Sequence, residues 1–261
     1  MQERGYNLTQ ILFNKTGQVG TVVIDHPPAN AWNLEAMKAF EKVLDQVEND
    51  NEVRAVIITG AGEKFFSAGF DVSDTADPAE TSHMGRTLWK RLDRFPKPTI
   101  AVINGYALGG GLELAMACHF RLMVDAPKFS VGLTELNLGI IPGWGGTQRL
   151  PRLVGRAKAL DMILFSRRID AQEALAAGLV NEIKPPGQLM DRAVELAETL
   201  ARRPPIAVRC VLEAMAAGLY EGLEAGLRVE EQGAIRVRGT RDREEGFAAF
   251  REKREPVFTG E

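Results

Sequence analysis

Residues 99–118 read TIAVINGYALGGGLELAMAC, and this stretch decides the fold. Its first five residues, Thr99–Ile103, are apolar and mostly β-branched, which predicts a buried strand that ends at Asn-Gly. Three glycines at 109–111 follow, and then a run of strong helix formers at 112–118. A strand, a glycine turn and a helix in this order leave backbone N–H groups unpaired at the positive end of the helix. Such a turn can hold an oxygen on which negative charge develops, with the Glu113 carboxylate one short turn away.

The preceding sequence predicts a strand–helix–strand unit. Gly20–Asp25 and Val53–Thr59 have the composition of buried strands, and a helix with Asn33 as its N-cap runs between them to about Asn49. A long crossover of this kind implies parallel strands. The other predictions for this part of the chain are a small-residue turn at 65–71, a polar loop at 73–81, a helix at 83–94, short strands at 120–124, 129–131 and 166–169, and a short helix at 171–177.

From Gly187 onward the sequence predicts helices alone, with Gly218 and Gly239 as breaks. They are expected at 189–201, 205–217, 221–237 and 242–250. We therefore predict an α/β core at 1–185, which holds the site, and a helical C-terminal region at 186–261.

Composition excludes several classes of function. The chain has 261 residues, a net charge of −3 and 45% hydrophobic residues, which suit one large globular domain. The slightly acidic balance argues against a nucleic-acid partner. Two cysteines and three scattered histidines give neither a disulfide framework nor metal-ligand spacing, so we expect a reducing compartment and no metal site. Without a signal peptide or a stretch of ~18 apolar residues, we expect a cytoplasmic protein, or a processed organellar one, and no membrane partner.

Two glycine-bounded turns are candidates for a binding site. Ala68-Gly69-Phe70 and the glycines at 109–111 each follow a predicted parallel strand, and ligands gather outside the carboxyl ends of such strands. If the turns face one crevice, each can offer an N–H group to the same carbonyl oxygen, and one such donor is worth about 3–4 kcal/mol in other enzymes. The alternative is that these glycines only permit tight turns.

Glu135 is the second candidate acid. It lies in an apolar, glycine-rich segment, where loss of hydration would raise the pKa of a carboxyl group, although a solvated surface glutamate is the alternative. With Glu113 it would supply one acid and one base around a water molecule. A dinucleotide fingerprint, a Gly-x-Ser-x-Gly elbow and a phosphate loop are all missing from the sequence. Polarisation of a carbonyl group, without a nucleophile or redox cofactor, is the chemistry that remains.

Four motifs carry a resemblance to a known family. They are FSAGFD at 66–71, NGYALGGGLEL at 104–114, the segment from Glu135 to Leu150 with PGWGGTQRL, and EGFAAFREKR at 245–254. In this order and spacing, they resemble the enoyl-CoA hydratase/isomerase (crotonase) family almost from end to end. The resemblance implies an α/β, crotonase-like (ββα) superhelix with a C-terminal helical trimerisation region, in trimers or dimers of trimers.

The resemblance also implies roles for individual residues. The N–H groups of Phe70 and Gly110 would form an oxyanion hole for a thioester oxygen, and Glu113 and Glu135 match the two catalytic glutamates of the hydratases. The implied reaction is reversible syn addition of water to a trans-2-enoyl-CoA, giving a 3-hydroxyacyl-CoA in fatty-acid β-oxidation or a related pathway. Glu135 would exchange a proton with the α-carbon and Glu113 would deprotonate the water, although coupled carboxylates share their protons. Coenzyme A is part of the substrate, and no other cofactor is implied.

Some positions concern substrate binding. Ala68 and Asp71 flank the oxyanion turn and are expected to contact substrate. Phe70 replaces a residue that is small in many hydratases, so it would reshape the acyl pocket, and Trp144 would either line that pocket or pack in the core. Lys253 matches a lysine that reaches CoA from a neighbouring subunit.

Two departures leave other functions open. Ser73 stands where many members carry a lysine near the CoA phosphates, and Ala234 stands where some carry an aromatic residue. A Δ3,Δ2-enoyl-CoA isomerase, or a dienoyl or aromatic-pathway hydratase, is the alternative within the family. An RNA-binding relative is the alternative from another class, against which the net charge argues.

Overall fold

The computed structural model describes residues 6–8 and 10–261. The strands are β1 Tyr6–Leu8, β2 Ile11–Thr16, β3 Val19–Ile24, β4 Ala55–Gly60, β5 Phe65–Ser67, β6 Thr99–Ile103, β7 Tyr106–Leu108, β8 Phe120–Val124, β9 Val131–Gly132 and β10 Glu182–Lys184. The helices are α1 Leu34–Asn49, α2 Pro78–Asp93, α3 Gly110–Ala117, α4 Gly146–Val154, α5 Arg156–Leu164, α6 Ala171–Ala176, α7 Leu189–Ala201, α8 Pro205–Glu221, α9 Leu223–Arg238 and α10 Arg241–Glu252, with a 3₁₀ helix at Glu135–Leu138.

The strands form two sheets. The larger has the order β1-β2-β3-β4-β6-β8-β10, in which β1, β2 and β3 are antiparallel and all later pairs are parallel. The predicted parallel pairing of the strands near 20–25 and 53–59 is confirmed by the alignment of Val22 with Ile58. The smaller sheet has the order β5-β7-β9 and is parallel. Of its strands, β5 and β7 lead into the predicted glycine turns.

Helices cover both faces of the larger sheet. Side chains of α1 such as Phe40 pack with Ile58 on one face, and the Asn33 side chain caps this helix by accepting from Ala36 N at 2.8 Å. Small residues of α7 such as Ala197 pack with Ile57 on the other face. β4 and β6 are buried throughout, and burial on both faces explains why their side chains are mostly apolar. The division of the chain at residue 185 stays a prediction. Beyond that residue, α7 still packs into the core of the α/β part.

The structure corrects two predicted boundaries before the glycine-rich stretch. The turn predicted at 65–71 begins with β5, which pairs with β7 through Phe65 and Ser67 and is too short to show a periodic pattern. The loop predicted at 73–81 ends early, because α2 begins at Pro78 rather than at His83. The Asp77 side chain caps this helix by accepting from Ala79 N at 2.9 Å.

A third correction concerns Gly218, predicted as a helix break but found inside α8. It faces Gly226 of α9, and a Cβ atom added at Gly226 would lie 2.7 Å from Gly218 Cα. The glycines therefore let two helices approach closely, and the chain turns instead at Gly222, where φ is +97°. The break predicted at Gly239 is confirmed. Within the described part of the chain, no helix is long and apolar enough to cross a membrane.

Candidate active site

The two glycine turns meet at the ends of β5 and β7. Gly69 has φ of +90°, and a Cβ atom there would lie 2.7 Å from Gly110 N and 2.8 Å from Leu108 O. Only glycine permits this conformation and this approach of one backbone to another. The two turns therefore face one crevice.

Each turn presents an N–H group to this crevice. Trp32 N donates to Gly69 O at 2.7 Å, and Asp71 N donates to Trp32 O at 3.0 Å. Since the peptide groups on both sides of Phe70 face Trp32, the Phe70 N–H points the opposite way. Gly110 is the first residue of α3, where an N–H group has no acceptor within the helix. In residues 6–8 and 10–261 no hydrogen-bond acceptor is found for either N–H group, and this suits an oxygen that gains negative charge.

Glu113 lies on the first turn of α3 and is 1% exposed. Its Oε1 accepts from Trp144 N at 2.8 Å and from Gly146 N at 2.7 Å. Trp144 lies just before α4 and Gly146 is its first residue, so the carboxylate lies at the positive end of this helix, which favours it. Burial nevertheless raises the pKa of Glu113 to about 7, and the Glu135 carboxylate acts in the same direction.

Glu135 begins the 3₁₀ helix and is 9% exposed. Its Oε1 lies 3.1 Å from the position that a Cβ atom would take on Gly109, so the carboxyl group lies over the glycine turn. Its Oε2 is buried and meets no donor in the described residues. Burial raises the pKa of Glu135 to about 7. Two neighbouring acids whose pKa is raised toward neutrality can act as one acid and one base.

The site opens into a cavity of about 970 Å³. Six of the predicted site residues line it: Ala68, Phe70, Gly110, Glu113, Glu135 and Trp144. Exposed aliphatic side chains form part of its rim: Val72, Leu138, Ile140 and Ile141. A largely apolar cavity with a few convergent polar groups is typical of a small-molecule site.

Trp144 both packs in the core and lines the cavity. It is 4% exposed, and its ring meets Phe70 and Trp89 edge to face, with centroids 6.3 and 5.5 Å apart. Cβ atoms added at Gly85 and Gly110 would lie 2.6 and 2.2 Å from atoms of this ring. Trp144 therefore packs in the core and also lines the cavity, while its contact with an acyl group stays a prediction.

Two predicted substrate-binding residues lie apart from the cavity lining. Asp71 Oδ1 accepts from Ser73 N at 2.9 Å and from Ser73 Oγ at 2.6 Å, and these bonds lower the pKa of Asp71. Its Oδ2 faces His26 Nε2 at 4.0 Å. Lys253 is exposed at the end of α10 with φ of 55°. The described residues of one chain bring neither side chain into the cavity, and their roles stay predictions.

The cavity is also lined by Arg149, Asp93 and Tyr220, for which the sequence predicted no role. Arg149 Nε donates to Asp93 Oδ2 at 3.0 Å, and the Tyr220 hydroxyl donates to the same oxygen. Arg149 is part of the PGWGGTQRL motif. Asp93 and Tyr220 lie far from it in the sequence, on α2 and α8, so no pattern near Arg149 predicts that the three residues meet.

Paired buried acids beside two backbone N–H groups suit an enzyme that stabilises a developing oxyanion and moves protons. The family model described as enoyl-CoA hydratase/isomerase matches residues 14–261, and the chain belongs to this family. It is 40% identical over 253 residues to the short-chain-enoyl-CoA hydratase of Clostridium acetobutylicum, covering 95% of this chain and 96% of that protein. It is 42% identical over 250 residues to a probable enoyl-CoA hydratase of Bacillus subtilis, covering 93% and 96%.

A solved structure shares the fold. The crystal structure of an enoyl-CoA hydratase from Bacillus anthracis matches with a TM-score of 0.92 and 42% identity, over 97% of this chain and all of that chain. The crotonase-like α/β fold predicted from the motifs is confirmed.

Proposed function

We propose that this protein is an enoyl-CoA hydratase, which adds water reversibly and with syn geometry to a trans-2-enoyl-CoA. The observation that carries the proposal is the convergence of two buried carboxyl groups, Glu113 and Glu135, on the crevice of the two glycine turns. The names of the relatives, among them the short-chain-enoyl-CoA hydratase of Clostridium acetobutylicum, support it.

The mechanism assigns a task to each group. The N–H groups of Phe70 and Gly110 bind the thioester oxygen and stabilise it as enolate charge develops. Ionised Glu113 takes a proton from a water molecule whose oxygen bonds to the β-carbon of the substrate. Protonated Glu135 gives its proton to the α-carbon, so one water is added across the double bond. The pair then holds its original single proton, on the other carboxyl group.

The same proposal covers cofactors and assembly. Hydration changes no oxidation state overall, so the reaction needs no electron carrier, and coenzyme A enters as part of the substrate. We also propose a homotrimer or a dimer of trimers. Exposed apolar side chains on the C-terminal helices support assembly, with Phe250 84% exposed and Met215 70% exposed. Light scattering after size exclusion measures the mass directly, and a monomer at micromolar concentration would contradict the assembly.

Hydration of crotonyl-CoA is the direct experiment. The ultraviolet absorbance of the conjugated thioester falls as water adds, and it rises again when 3-hydroxybutyryl-CoA is supplied instead. A series of longer trans-2-enoyl-CoA substrates then defines the acyl preference. Absence of turnover with every chain length would reject the function.

A second candidate within the family has one observation in its favour. Phe70 and Trp144 both line the cavity, with their rings edge to face, and this aromatic lining favours dienoyl or aromatic acyl groups that can stack on or against a ring. A panel of these thioesters, together with a 3-enoyl-CoA as substrate for isomerisation, separates the candidates by their relative kcat/KM.

A further inference from the structure

We propose that Arg149 is a positioning residue, which together with Asp93 and Tyr220 fixes the turn that holds Glu113 in place. We call these three residues the Arg149 clamp. The inference rests on the proposed function, in which Glu113 accepts the proton of water. It assigns the clamp no contact with the reacting atoms.

The first contact of the clamp is with the turn at residues 144–146. Arg149 Nη1 donates to Trp144 O at 2.9 Å, and Arg149 N donates to Gly145 O at 2.9 Å. Gly145 has φ of +112°, and a Cβ atom there would lie 2.1 Å from Arg149 Nη1. The guanidinium group therefore occupies the space that any other side chain at position 145 would need.

The second contact holds the guanidinium group from the opposite side. Arg149 and Asp93 form an ion pair whose side chains are only 10% and 15% exposed. The Tyr220 hydroxyl donates to the Asp93 oxygen that Arg149 also contacts. Arg94 stacks on the Tyr220 ring, with its guanidinium carbon 5.2 Å from the ring centroid. A charge pair that is so little hydrated holds a fixed geometry, because each lost hydrogen bond leaves an unpaired charge.

Trp144 transmits this geometry to Glu113. Its carbonyl group accepts from Arg149 and its N–H group donates to Glu113 Oε1, so the clamp and the acid hold opposite ends of one residue. The second donor to Oε1, Gly146 N, belongs to the same turn. Release of the carbonyl group would let the turn rotate and would lengthen both bonds to the carboxylate.

The clamp also acts through charge. The charged groups near Glu113 are Glu135 from the 3₁₀ helix, Arg149 from α4 and, beyond it, Asp93 from α2. The bonds from the turn and the Arg149 cation lower the pKa of Glu113, against the larger effect of burial. Loss of the clamp would therefore raise the pKa of Glu113 further, and the base would ionise at a higher pH. Tyr220 lies on α8, so the helical C-terminal region takes part in setting this value.

The experiment compares Arg149→Met with Arg152→Met in the full-length protein. Both variants remove one arginine of α4 that lines the cavity, but Arg152 donates to Gln148 O and does not contact the turn. Arg149→Met would weaken the two backbone hydrogen bonds to the Glu113 carboxylate as well as remove a cation, and the loss of such bonds and charge together raises a carboxyl pKa by about one unit or more. For Arg149→Met we expect the low-pH side of the profile of kcat/KM against pH, the acid limb, to move up by about one pH unit. At low pH this shift lowers kcat/KM about tenfold, and the loss diminishes as the pH rises. Arg152→Met should leave this limb in place.

A second measurement does not depend on turnover. Carbon-13 NMR of glutamate-labelled protein, assigned with Glu113→Gln, follows the Glu113 carboxyl group directly. Arg149→Lys keeps a cation but cannot reach both partners, so we expect a smaller shift, and this variant replaces Arg149→Met if the latter does not fold. An unshifted Glu113 titration together with a lower melting temperature would overturn the positioning role. If the wild type hydrates no enoyl-CoA, the proposed function fails, while the titration still decides the clamp.

Discussion

Substitution of Gly69 by alanine should separate the two donors of the oxyanion hole. The added Cβ would lie 2.7 Å from Gly110 N, whereas ordinary contact begins at 3.4 Å, so the turns must move apart by about 0.7 Å. A donor displaced by that amount would lie about 3.6 Å from an oxygen that it formerly met at about 2.9 Å, which is too far for a hydrogen bond. Loss of one oxyanion donor costs about 2.7–4 kcal/mol of transition-state stabilisation.

We therefore expect kcat for crotonyl-CoA to fall by about 10²–10³-fold in Gly69→Ala. Binding of a non-reacting acyl-CoA, measured by calorimetry, should change much less, because the oxygen carries its full charge only in the transition state. The φ of +90° at Gly69 adds a stability cost of about 1–3 kcal/mol, which denaturant unfolding measures separately.

Gly17→Ala is the matched control for backbone strain. Gly17 has φ of +57°, but a Cβ atom there would meet no atom within 4 Å. This variant should lose stability and keep its activity. If Gly69→Ala retains the kcat of the control, the contact between the two turns does not hold the oxyanion donors, and the reasoning is refuted.

Three further predictions concern the acids and the cavity wall. Glu135→Gln cannot exchange a proton with the α-carbon, so kcat should fall by about 10²–10⁴-fold. The affinity for an acyl-CoA, measured by calorimetry, should stay within a few fold. An unchanged rate would remove Glu135 from the mechanism. Burial raises the pKa of Glu113 from 4.5 to about 7, so its contribution to stability is complete below pH 4.5 and is lost as the pH rises through 7. The melting temperature of Glu113→Gln relative to wild type should accordingly increase between pH 5 and pH 8, whereas a constant difference would contradict the raised pKa. Trp144→Ala uncovers Gly85 and Gly110, so we expect the free energy of unfolding, measured with denaturant, to fall by about 3–5 kcal/mol. The preference in kcat/KM should shift toward longer acyl chains. An unchanged preference would show that the ring does not bound the acyl pocket.

The sequence predicted those helices and strands that are determined by residues close together in the chain. The apolar run of β6, the glycines before α3 and the Asn33 cap of α1 each act through neighbouring backbone, so the sequence alone predicts them. The strands of the smaller sheet were missed or misplaced. A strand of two or three residues is too short to show an alternation of apolar and polar residues, and its hydrogen-bond partners lie far away in the sequence. No helix was predicted at α4, since it begins at Gly146 and contains Pro151.

The sequence by itself determined which residues have the chemistry for the site: two glutamates in apolar surroundings and two glycine turns. Tertiary structure alone decided that they converge, since Glu113 meets the N–H group of Trp144 across 31 residues of chain and Arg149 meets Asp93 across 56. It also decided that Trp144 serves core and cavity at once. The physical reason is that a pKa and an oxyanion hole depend on burial and on distances of about 3 Å, which arise only when distant segments pack together.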